Sequence, residues 1–458
     1  MTWHPLICTL VFLPCLLLAA TLVLPRTAAA GGPVTAVRAS DFLNSLGTMS
    51  AISVRGENLP KTIECAKYLG VRWFRAGVEG NIPMQQFIDL HKQAGLRFAW
   101  GLGSNGSNIP KLIETGRQVA AAGALLAFEG PNEPNTWAIT YQDEKGGGPN
   151  SWLPVAKLMR DLYKAVKSDP VLKDYPVWNV SDNGAQNDNV GLQFLTIPQG
   201  AGTLMPDGTK YADYANCHDY ITHGSIKTLI DNLPWNAAGT EPHVSKAGGL
   251  VDGLYGTYCV TWKKHFKGYP QADLPKLPRV VTENGWLAEG GGKFTEENQG
   301  VLHLSLYLDH FKRGWSYTAI YLLRDRSDEA GNQSYGFYRK DYTPRKSAHY
   351  LHNLTTILAD SGSIPTPGKL NYSIPNQPET VHDLLLQKSD GTFALVVWNE
   401  RFAGGSDNVT VNLGATFTSV KVYDPTIGTA ATETLANVSA VPLKLTNHPV
   451  ILEMQPRP

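Results

Sequence analysis

Three features are scarce in this 458-residue sequence: cysteine, an excess of either charge, and long apolar runs. Five cysteines are present, and Cys8 and Cys15 fall in an N-terminal segment that we expect to be removed. The remaining three, Cys65, Cys217 and Cys259, cannot all pair within one chain. They allow one disulfide, with Cys217 to Cys259 as the favoured pair, or three buried thiols. No cysteine and histidine spacing is typical of a metal site, so we expect neither a metal nor another cofactor.

The charge balance argues against a nucleic-acid partner. Forty basic residues balance forty acidic ones, and the formal net charge is zero. Binding to nucleic acid needs a concentrated basic surface, which this balance gives no reason to expect. A neutral or weakly charged substrate fits better. The 11 tryptophans and 19 tyrosines could stack on sugar rings, although such side chains are just as often part of a core.

The longest apolar run lies at the N-terminus. Met1–Ala30 combines a weakly basic start, an apolar segment from Leu6 to Leu24 and a small-residue end, which is typical of a secretory signal peptide. A run of this length could also just span a bilayer as an anchor. Pro14 interrupts the run and Pro25 ends it, which favours cleavage near Ala30 over retention as an anchor. We therefore expect a secreted protein, extracellular or periplasmic, with no membrane association after the signal is removed.

Short apolar strands alternate with helical stretches from about residue 41 to residue 360. This is the pattern of a parallel sheet wrapped by helices. Eight strands, each followed by a helical stretch, predict a closed (β/α)8 barrel, or TIM barrel. The predicted strands are Leu43–Ile52, Val71–Val78, Leu96–Leu102, Leu125–Glu133, Val177–Asp182, Ala215–Thr222, Val280–Trp286 and Ala319–Asp325.

The character of the chain changes after Leu358. A stretch rich in serine, glycine and proline follows, and beyond it apolar and polar residues alternate with period two. The sequence thus predicts an α/β protein with a TIM barrel at residues 31–360 and a small C-terminal antiparallel β-sandwich at residues 361–458. Residues 31–40 are a candidate extra strand of the sandwich, and we expect a monomer. The predicted sandwich strands are Thr380–Gln387, Thr392–Asn399, Val409–Leu413 and Val420–Tyr423.

Two predicted strand ends carry carboxylates that could do chemistry together. The fourth strand runs into Asn132-Glu133-Pro134, and the seventh contains Thr282-Glu283. Because reactive groups of such barrels lie where strands end and loops begin, both carboxylates are expected on one face. Glycosidic bond cleavage needs an acid to protonate the leaving oxygen and a carboxylate to attack carbon or activate water. Glu133 and Glu283 could supply both functions.

These motifs resemble those of the clan of retaining (β/α)8-barrel glycoside hydrolases, most closely family 39, with families 5, 30 and 79 as relatives. The resemblance covers the whole barrel in order. It implies that Glu133 is the acid/base and Glu283 the nucleophile of a hydrolase acting on a β-linked oligo- or polysaccharide. It also implies that Asn132 hydrogen-bonds the 2-hydroxyl of the sugar.

Three further residues match positions of the clan. Arg75 resembles its strand-two arginine, and His218 and Tyr220 resemble its His-x-Tyr motif on strand six. A nearby cation favours the ionised form of a carboxylate, and a tyrosyl hydroxyl fixes its orientation. We therefore expect Arg75 and Tyr220 to serve Glu283. His218 is expected either to bind sugar or to form hydrogen bonds beneath the site.

The resemblance fails at strand eight. Many relatives place a sugar-stacking tryptophan there, whereas this chain reads Ile320-Tyr-Leu-Leu-Arg-Asp325. Trp286, Trp100 and Trp137 are the candidates for a stacking surface instead. Glu129, which precedes Glu133 on the same strand, is interpreted as a structural residue pointing into the barrel.

Three other functions compete with hydrolysis. A catalytically inactive carbohydrate-binding barrel would be expected to have lost one glutamate, and both are present. A transglycosylase would use the same residues with a sugar in place of water as acceptor. A metal-dependent hydrolase on the same fold would need a histidine and aspartate cluster at the strand ends, which the sequence pattern does not indicate.

Overall fold

A computed structural model gives the structure of the chain. It describes residues 32–148, 150–181, 194–200, 203–221, 229–239, 276–326, 328 and 334–455. The predicted signal segment Met1–Ala30 and Cys259 lie outside the described residues, as do the predicted strand ends Asp182 and Thr222. Within the described ranges, no helix is long and apolar enough to cross a bilayer.

Eight parallel strands form the predicted barrel, and the predicted fold class is confirmed. Neighbouring strands pair in chain order, and the eighth pairs with the first. A parallel bridge between Trp178 and Tyr214 joins the fifth strand to the sixth. The barrel strands are Leu46–Met49, Trp73–Gly77, Arg97–Ser104, Leu125–Asn132, Val177–Trp178, Ala215–His218, Arg279–Asn284 and Trp315–Ile320.

Two predicted barrel strands differ in position from the observed ones. Leu43, predicted to open the first strand, belongs to the helix Ala39–Ser45 that precedes it. The eighth strand was predicted at Ala319–Asp325 from a run of apolar residues, but it occupies Trp315–Ile320. Its early residues alternate aromatic and hydroxyl side chains, and this alternation is the true strand signal.

The interior of the barrel is filled by aromatic rings. The Trp73 and Trp178 rings meet edge to face with centroids 5.4 Å apart, and Tyr317 lies 5.3 Å from Trp178. Gly47 makes room for this layer, because a Cβ atom there would lie 2.1 Å from the Trp73 ring. The interior of the barrel is therefore a packed core, and a site can lie only at the open end, where the strands finish at their carboxyl ends.

Helices alternate with the barrel strands. Two of them begin with an asparagine N-cap. Asn58 Oδ1 accepts a hydrogen bond from the Lys61 backbone N–H, and Asn108 Oδ1 accepts one from the Lys111 backbone N–H. Such side chains satisfy backbone donors that the first helical turn leaves unpaired. The described helices are Ala39–Ser45, Leu59–Leu69, Met84–Ala94, Ile109–Ala121, Leu153–Ser168, Leu233–Ala237, Glu296–Lys312 and Lys346–Ile357, with a 3-10 turn at Glu79–Asn81.

The C-terminal module is an antiparallel β-structure with its own hydrophobic core. The two predicted strands Val409–Leu413 and Val420–Tyr423 are parts of one long strand, whose register with its partner shifts between Asn412 and Phe417. Val37–Arg38 pairs with Val381–Gln387, so the start of the described chain joins this sheet. The module's strands are Lys369–Leu370, Val381–Gln387, Phe393–Asn399, Asp407–Tyr423, Glu433–Leu445 and Pro449–Met454, and short pairs also form at Val34–Thr35 and in the hairpin Ile139–Tyr141 and Glu144–Gly146.

A buried pair of carboxyl groups joins the barrel to this module. Asp309, on a barrel helix, and Glu400, just after a module strand, are both fully buried. Among the described residues, Asp309 Oδ2 and Glu400 Oε1 have no N–H or hydroxyl donor, so a proton shared between the two carboxyl groups is what can satisfy them. Trp398 Nε1–H donates to Asp309 Oδ1 at 2.8 Å, and the Trp235 backbone N–H donates to Glu400 at 3.2 Å. Burial and the neighbouring Glu400 raise the pKa of Asp309 well above its usual value. The folded pair therefore retains a proton.

We predict that the Asp309 to Glu400 pair makes folding stability fall as pH rises. Above about pH 4 the unfolded chain releases the proton that folded Asp309 retains, which costs up to about 1.4 kcal/mol for each further pH unit. Asp309→Asn keeps a donor toward Glu400 and an acceptor for Trp398 without the titrating proton. Urea unfolding at pH 5, 6.5 and 8 should show a smaller loss of stability in the variant than in the wild type.

Asp309→Ala is the matched control. Like Asp309→Asn it lacks the titrating proton, but it leaves Trp398 Nε1–H buried without its acceptor, so it should be less stable than Asp309→Asn by about 1–3 kcal/mol at every pH. Equal dependence on pH in Asp309→Asn and the wild type would contradict the assignment of the retained proton to this pair.

Candidate active site

The open end of the barrel holds a cavity of about 700 Å³. The volume lies within the range of small-molecule sites. It is lined by groups from the carboxyl ends of several strands, where such barrels place their reactive residues. Six predicted site residues line it: Arg75, Asn132, Glu133, the exposed Trp137, Tyr220 and Glu283.

A buried arginine lies beneath the cavity. Arg75, on the second strand, donates through Nε to both oxygens of Glu129 at 3.0 and 2.9 Å. Its Nη1 forms an ion pair with Glu283, and all three side chains are at least nine-tenths buried. Burial alone would lower the pKa of Arg75, but the charges of Glu129 and Glu283 outweigh it and raise that pKa. One permanent cation therefore holds two carboxylates.

Glu283 has a second partner on the side facing the cavity. The Tyr220 hydroxyl donates to Glu283 Oε2 at 2.9 Å, so each oxygen of this carboxylate has a defined donor. Burial and the charge of Glu283 raise the pKa of Tyr220 well above its usual value. Tyr220 thus stays a protonated donor, and Glu283 is fixed in one orientation.

Glu133 occupies a different environment. It follows the fourth strand, its backbone N–H donates to the Ser181 carbonyl at 2.9 Å, and its φ of 41° lies in the left-handed region. Its carboxyl oxygen Oε1 lies 2.8 Å from His218 Nδ1. Its partner is thus a fully buried imidazole, whereas that of Glu283 is a guanidinium.

The hydrogen bonds around Thr282 fix the tautomer of His218. The Thr282 hydroxyl has a single hydrogen to donate. Its oxygen Oγ1 lies 2.9 Å from Glu129 Oε1 and 3.0 Å from Asn216 Oδ1, and both of these atoms are acceptors. Its oxygen must then accept from His218 Nε2–H, 3.1 Å away. Burial lowers the pKa of His218 to about 4, so the ring is neutral and its Nδ1 is an acceptor. The protonated carboxyl group of Glu133 can therefore donate a hydrogen bond to His218 Nδ1.

Glu133, His218 and Glu283 offer ligand atoms that all lie within 4.8 Å of one another. One oxygen of each glutamate therefore lies close enough to the other for both carboxyl groups to reach the same small group in the cavity. The same three atoms could hold a metal ion, a possibility that sequence analysis missed because the residues lie far apart in the chain. Arg75, ion-paired to Glu283, opposes a further cation there.

Glu129 contributes more to the site than the sequence indicates. It is fully buried, as expected for a structural residue, but it accepts hydrogen bonds from Arg75, Thr282 and Asn216. It therefore connects the partners of both candidate carboxylates. Its position on the same strand, four residues before Glu133, was the available signal.

Of the three candidate stacking tryptophans, the structure places Trp137 in the cavity wall and the other two outside it. Trp100 packs against Phe87 in the core, and Trp286 is fully buried, so neither of them lines the cavity. Tyr321 and Tyr335 line it instead, within 5.9 Å of each other and beside Tyr220.

Tyr321 directly follows the eighth strand. The sequence interpretation missed it because the predicted strand was placed four residues too late. Asn132 was predicted to contact sugar and does line the cavity, with its Nδ2 donating to Ser104 Oγ at 3.1 Å.

No protein-family model matches the sequence, and no curated protein matches it either. Solved structures do share its fold. A family 39 glycoside hydrolase from Bacteroides cellulosilyticus WH2 is 15% identical with a TM-score of 0.55, over 91% of this chain and 82% of that one. A 4-O-alpha-L-rhamnosyl-beta-D-glucuronidase from Fusarium oxysporum 12S is 13% identical with a TM-score of 0.55, over 92% and 97%.

A third structure, CelM2, a bifunctional glucanase-xylanase protein from a metagenome library, is 13% identical with a TM-score of 0.54, over 93% of this chain and 97% of that one. The likeness extends over both the barrel and the C-terminal module. The resemblance to barrel glycoside hydrolases is thereby confirmed at the level of the fold.

We predict that in Thr282→Val the proton of the neutral His218 ring is no longer confined to Nε2. Valine has nearly the same shape as threonine but cannot accept the Nε2–H hydrogen bond, so the ring loses the contact that keeps its proton on Nε2. Nitrogen-15 NMR of labelled histidine should show one neutral tautomer in the wild type between pH 5 and 8 and a mixture in the variant. His218→Gln identifies the signal.

Thr282→Ser is the matched control, because it keeps the hydroxyl and should keep the wild-type spectrum. A protonated His218 ring in the wild type at pH 6 would contradict the assignment, since burial lowers its pKa to about 4.

Proposed function

We propose that this protein is a retaining glycoside hydrolase that cleaves β-linked oligo- or polysaccharides through a covalent glycosyl-enzyme. One observation carries the proposal: two nearly buried carboxylates approach within 4.8 Å, and each has a different set of partners. Retaining hydrolysis needs one ionised carboxylate and one protonated one at this separation. The shared fold of the glycoside hydrolases named above supports the same conclusion.

Glu283 is the proposed nucleophile. Its ion pair with Arg75 places a permanent cation against the negative charge that a nucleophilic carboxylate carries, and the Tyr220 hydroxyl at 2.9 Å fixes the orientation of its other oxygen. Attack on the anomeric carbon forms the glycosyl ester while the bond to the leaving oxygen breaks. Tyr321 and Tyr335 lie beside Tyr220, which hydrogen-bonds this carboxylate, and they are the proposed walls for the sugar being transferred.

Glu133 is the proposed acid/base. At rest, Nδ1 of the neutral His218 ring accepts a hydrogen bond from the carboxyl group of Glu133, and this bond requires that Glu133 carries the proton. In the first step Glu133 gives this proton to the leaving oxygen. Once Glu283 is esterified, its negative charge is gone, and the ionised Glu133 can take a proton from the water that attacks the ester.

Several features support a carbohydrate substrate outside the cell. The chain has a formal charge of zero, and the solved structures that share its fold include a glucanase-xylanase and a glucuronidase. We propose that the sequence of Met1–Ala30 directs export of the protein. A sugar acceptor in place of water would give transglycosylation by the same residues.

We predict that Glu283→Ala and Glu133→Ala each abolish most turnover of aryl β-glycosides and leave folding intact. Loss of general acid catalysis alone costs about 10²–10⁴-fold. Azide should restore activity to both variants with opposite stereochemistry. In Glu133→Ala it attacks the glycosyl-enzyme and gives the β-glycosyl azide, and in Glu283→Ala it replaces the nucleophile and gives the α-glycosyl azide.

A panel of aryl glycosides and polysaccharides, starting from xylosides and glucosides, first identifies a substrate that the wild type cleaves. Proton NMR then shows which anomer of the product is released first. Glu114→Ala, which removes an exposed carboxylate from the helix Ile109–Ala121, is the matched control and should retain wild-type rates. An α-anomer as first product, or unimpaired turnover in both site variants, would refute the proposal.

A further inference from the structure

One large exposed aromatic side chain lies beside the proposed acid. Trp137 is 47% exposed and lines the cavity. Among the described residues, the other exposed large apolar side chains are aliphatic and do not line it. An open indole face in a substrate cavity offers a surface for a ring-shaped ligand.

The backbone that carries Trp137 is firmly held. The Trp137 and Thr136 N–H groups both donate to the carbonyl of Glu133, at 2.7 and 2.8 Å. Asn105 Nδ2 donates to the Ala138 carbonyl at 3.0 Å, and the next residue, Ile139, is fully buried at the start of a hairpin. The indole is therefore exposed on a backbone that hydrogen bonds hold in place, and two of these bonds tie its position to Glu133.

The proposed chemistry places the leaving group on the side of the cavity that Glu133 lines. A general acid must approach the oxygen of the bond that breaks, so the leaving group lies next to Glu133. The transferred sugar lies instead against Glu283, where Tyr321 and Tyr335 line the cavity. Trp137 comes four residues after Glu133 on the loop of the fourth strand, and thus lies on the leaving-group side.

Polar groups accompany the indole. Thr136, which precedes Trp137, and Ser104, which precedes the Asn105 that holds the Ala138 carbonyl, both line the cavity, and Asn132 donates a hydrogen bond to Ser104. A sugar ring presents an apolar C–H face together with hydroxyl groups at its edge, so it matches an aromatic surface flanked by hydrogen-bonding side chains. An alkyl leaving group would use neither feature.

We propose that Trp137 is the platform on which the leaving group stacks, and that this leaving group is itself a sugar ring. The inference rests on the proposed glycosidase function and deepens it. It makes the smallest good substrate a disaccharide unit, with one ring among the tyrosines and the next on Trp137. It also makes Trp137 the surface on which a sugar acceptor would bind in transglycosylation.

The test compares leaving groups in Trp137→Ala. Three substrates of one sugar are used, in a xylose series and a glucose series: the β-glycosyl fluoride, the 4-nitrophenyl β-glycoside, and xylobiose or cellobiose. Fluoride has no ring to stack, so the ratio of kcat/KM for the disaccharide to kcat/KM for the fluoride should fall about tenfold in the variant. The loss should lie mainly in KM, and Trp137→Phe should restore most of the ratio.

Ile427→Ala is the matched control, since Ile427 is a 73% exposed apolar side chain in the C-terminal module. Its ratio should equal that of the wild type. An unchanged ratio in Trp137→Ala, or an equal loss on all three substrates, would overturn the inference while leaving the glycosidase proposal intact. A loss on the aryl glycoside alone would overturn the assignment to a sugar. Failure of the wild type to cleave any member of the wider panel would refute the proposed function, and the inference with it.

Discussion

The pairing of Arg75 with Glu129 and Glu283 is the constraint on which the site depends. All three side chains are at least nine-tenths buried, where an unpaired charge would be costly. Removing one partner of such a buried pair typically costs about 3–5 kcal/mol, because the remaining charge is left uncompensated. The second, fourth and seventh strands must therefore keep their registers, since each supplies one member of the group. The same requirement that stabilises this end of the barrel also aims Glu283 at the cavity.

Charge counting explains where the proton resides. With Arg75 positive and with Glu129 and Glu283 ionised, the group carries one net negative charge, and ionising Glu133 would make it two. His218 cannot compensate, because burial keeps its ring neutral until the pH falls to about 4. In the proposed glycosyl-enzyme Glu283 is a neutral ester and Glu133 is ionised, so the net charge is again one negative. The reaction thus moves charge between two carboxylates without changing the total that the buried arginine must balance.

The sequence was sufficient for the barrel and the two glutamates because both depend on local patterns. Apolar strands recur with helices between them, and Glu133 and Glu283 follow strand ends. Residues that act through distant partners could not be found in this way. The role of Glu129 depends on Arg75 and Thr282, which lie on other strands. By sequence alone, Trp100 and Trp286 are candidates for a stacking surface equal to Trp137, because sequence does not distinguish an indole in a core from one in a cavity. Nor does sequence indicate that Asp309 and Glu400 meet across the barrel and the C-terminal module.

The backbone at Glu133 connects the chemistry to the loop that follows. A φ of 41° is unfavourable for a residue with a side chain and typically costs about 1–3 kcal/mol. In return, Glu133 leaves the strand after Asn132, its N–H reaches the Ser181 carbonyl, and its own carbonyl accepts from both Thr136 and Trp137. These bonds offset the strain and define the turn. A residue that relaxed into β conformation would extend the strand, swing its carboxyl away from His218 and move Trp137 with it. The acid and the exposed indole therefore share one structural cause.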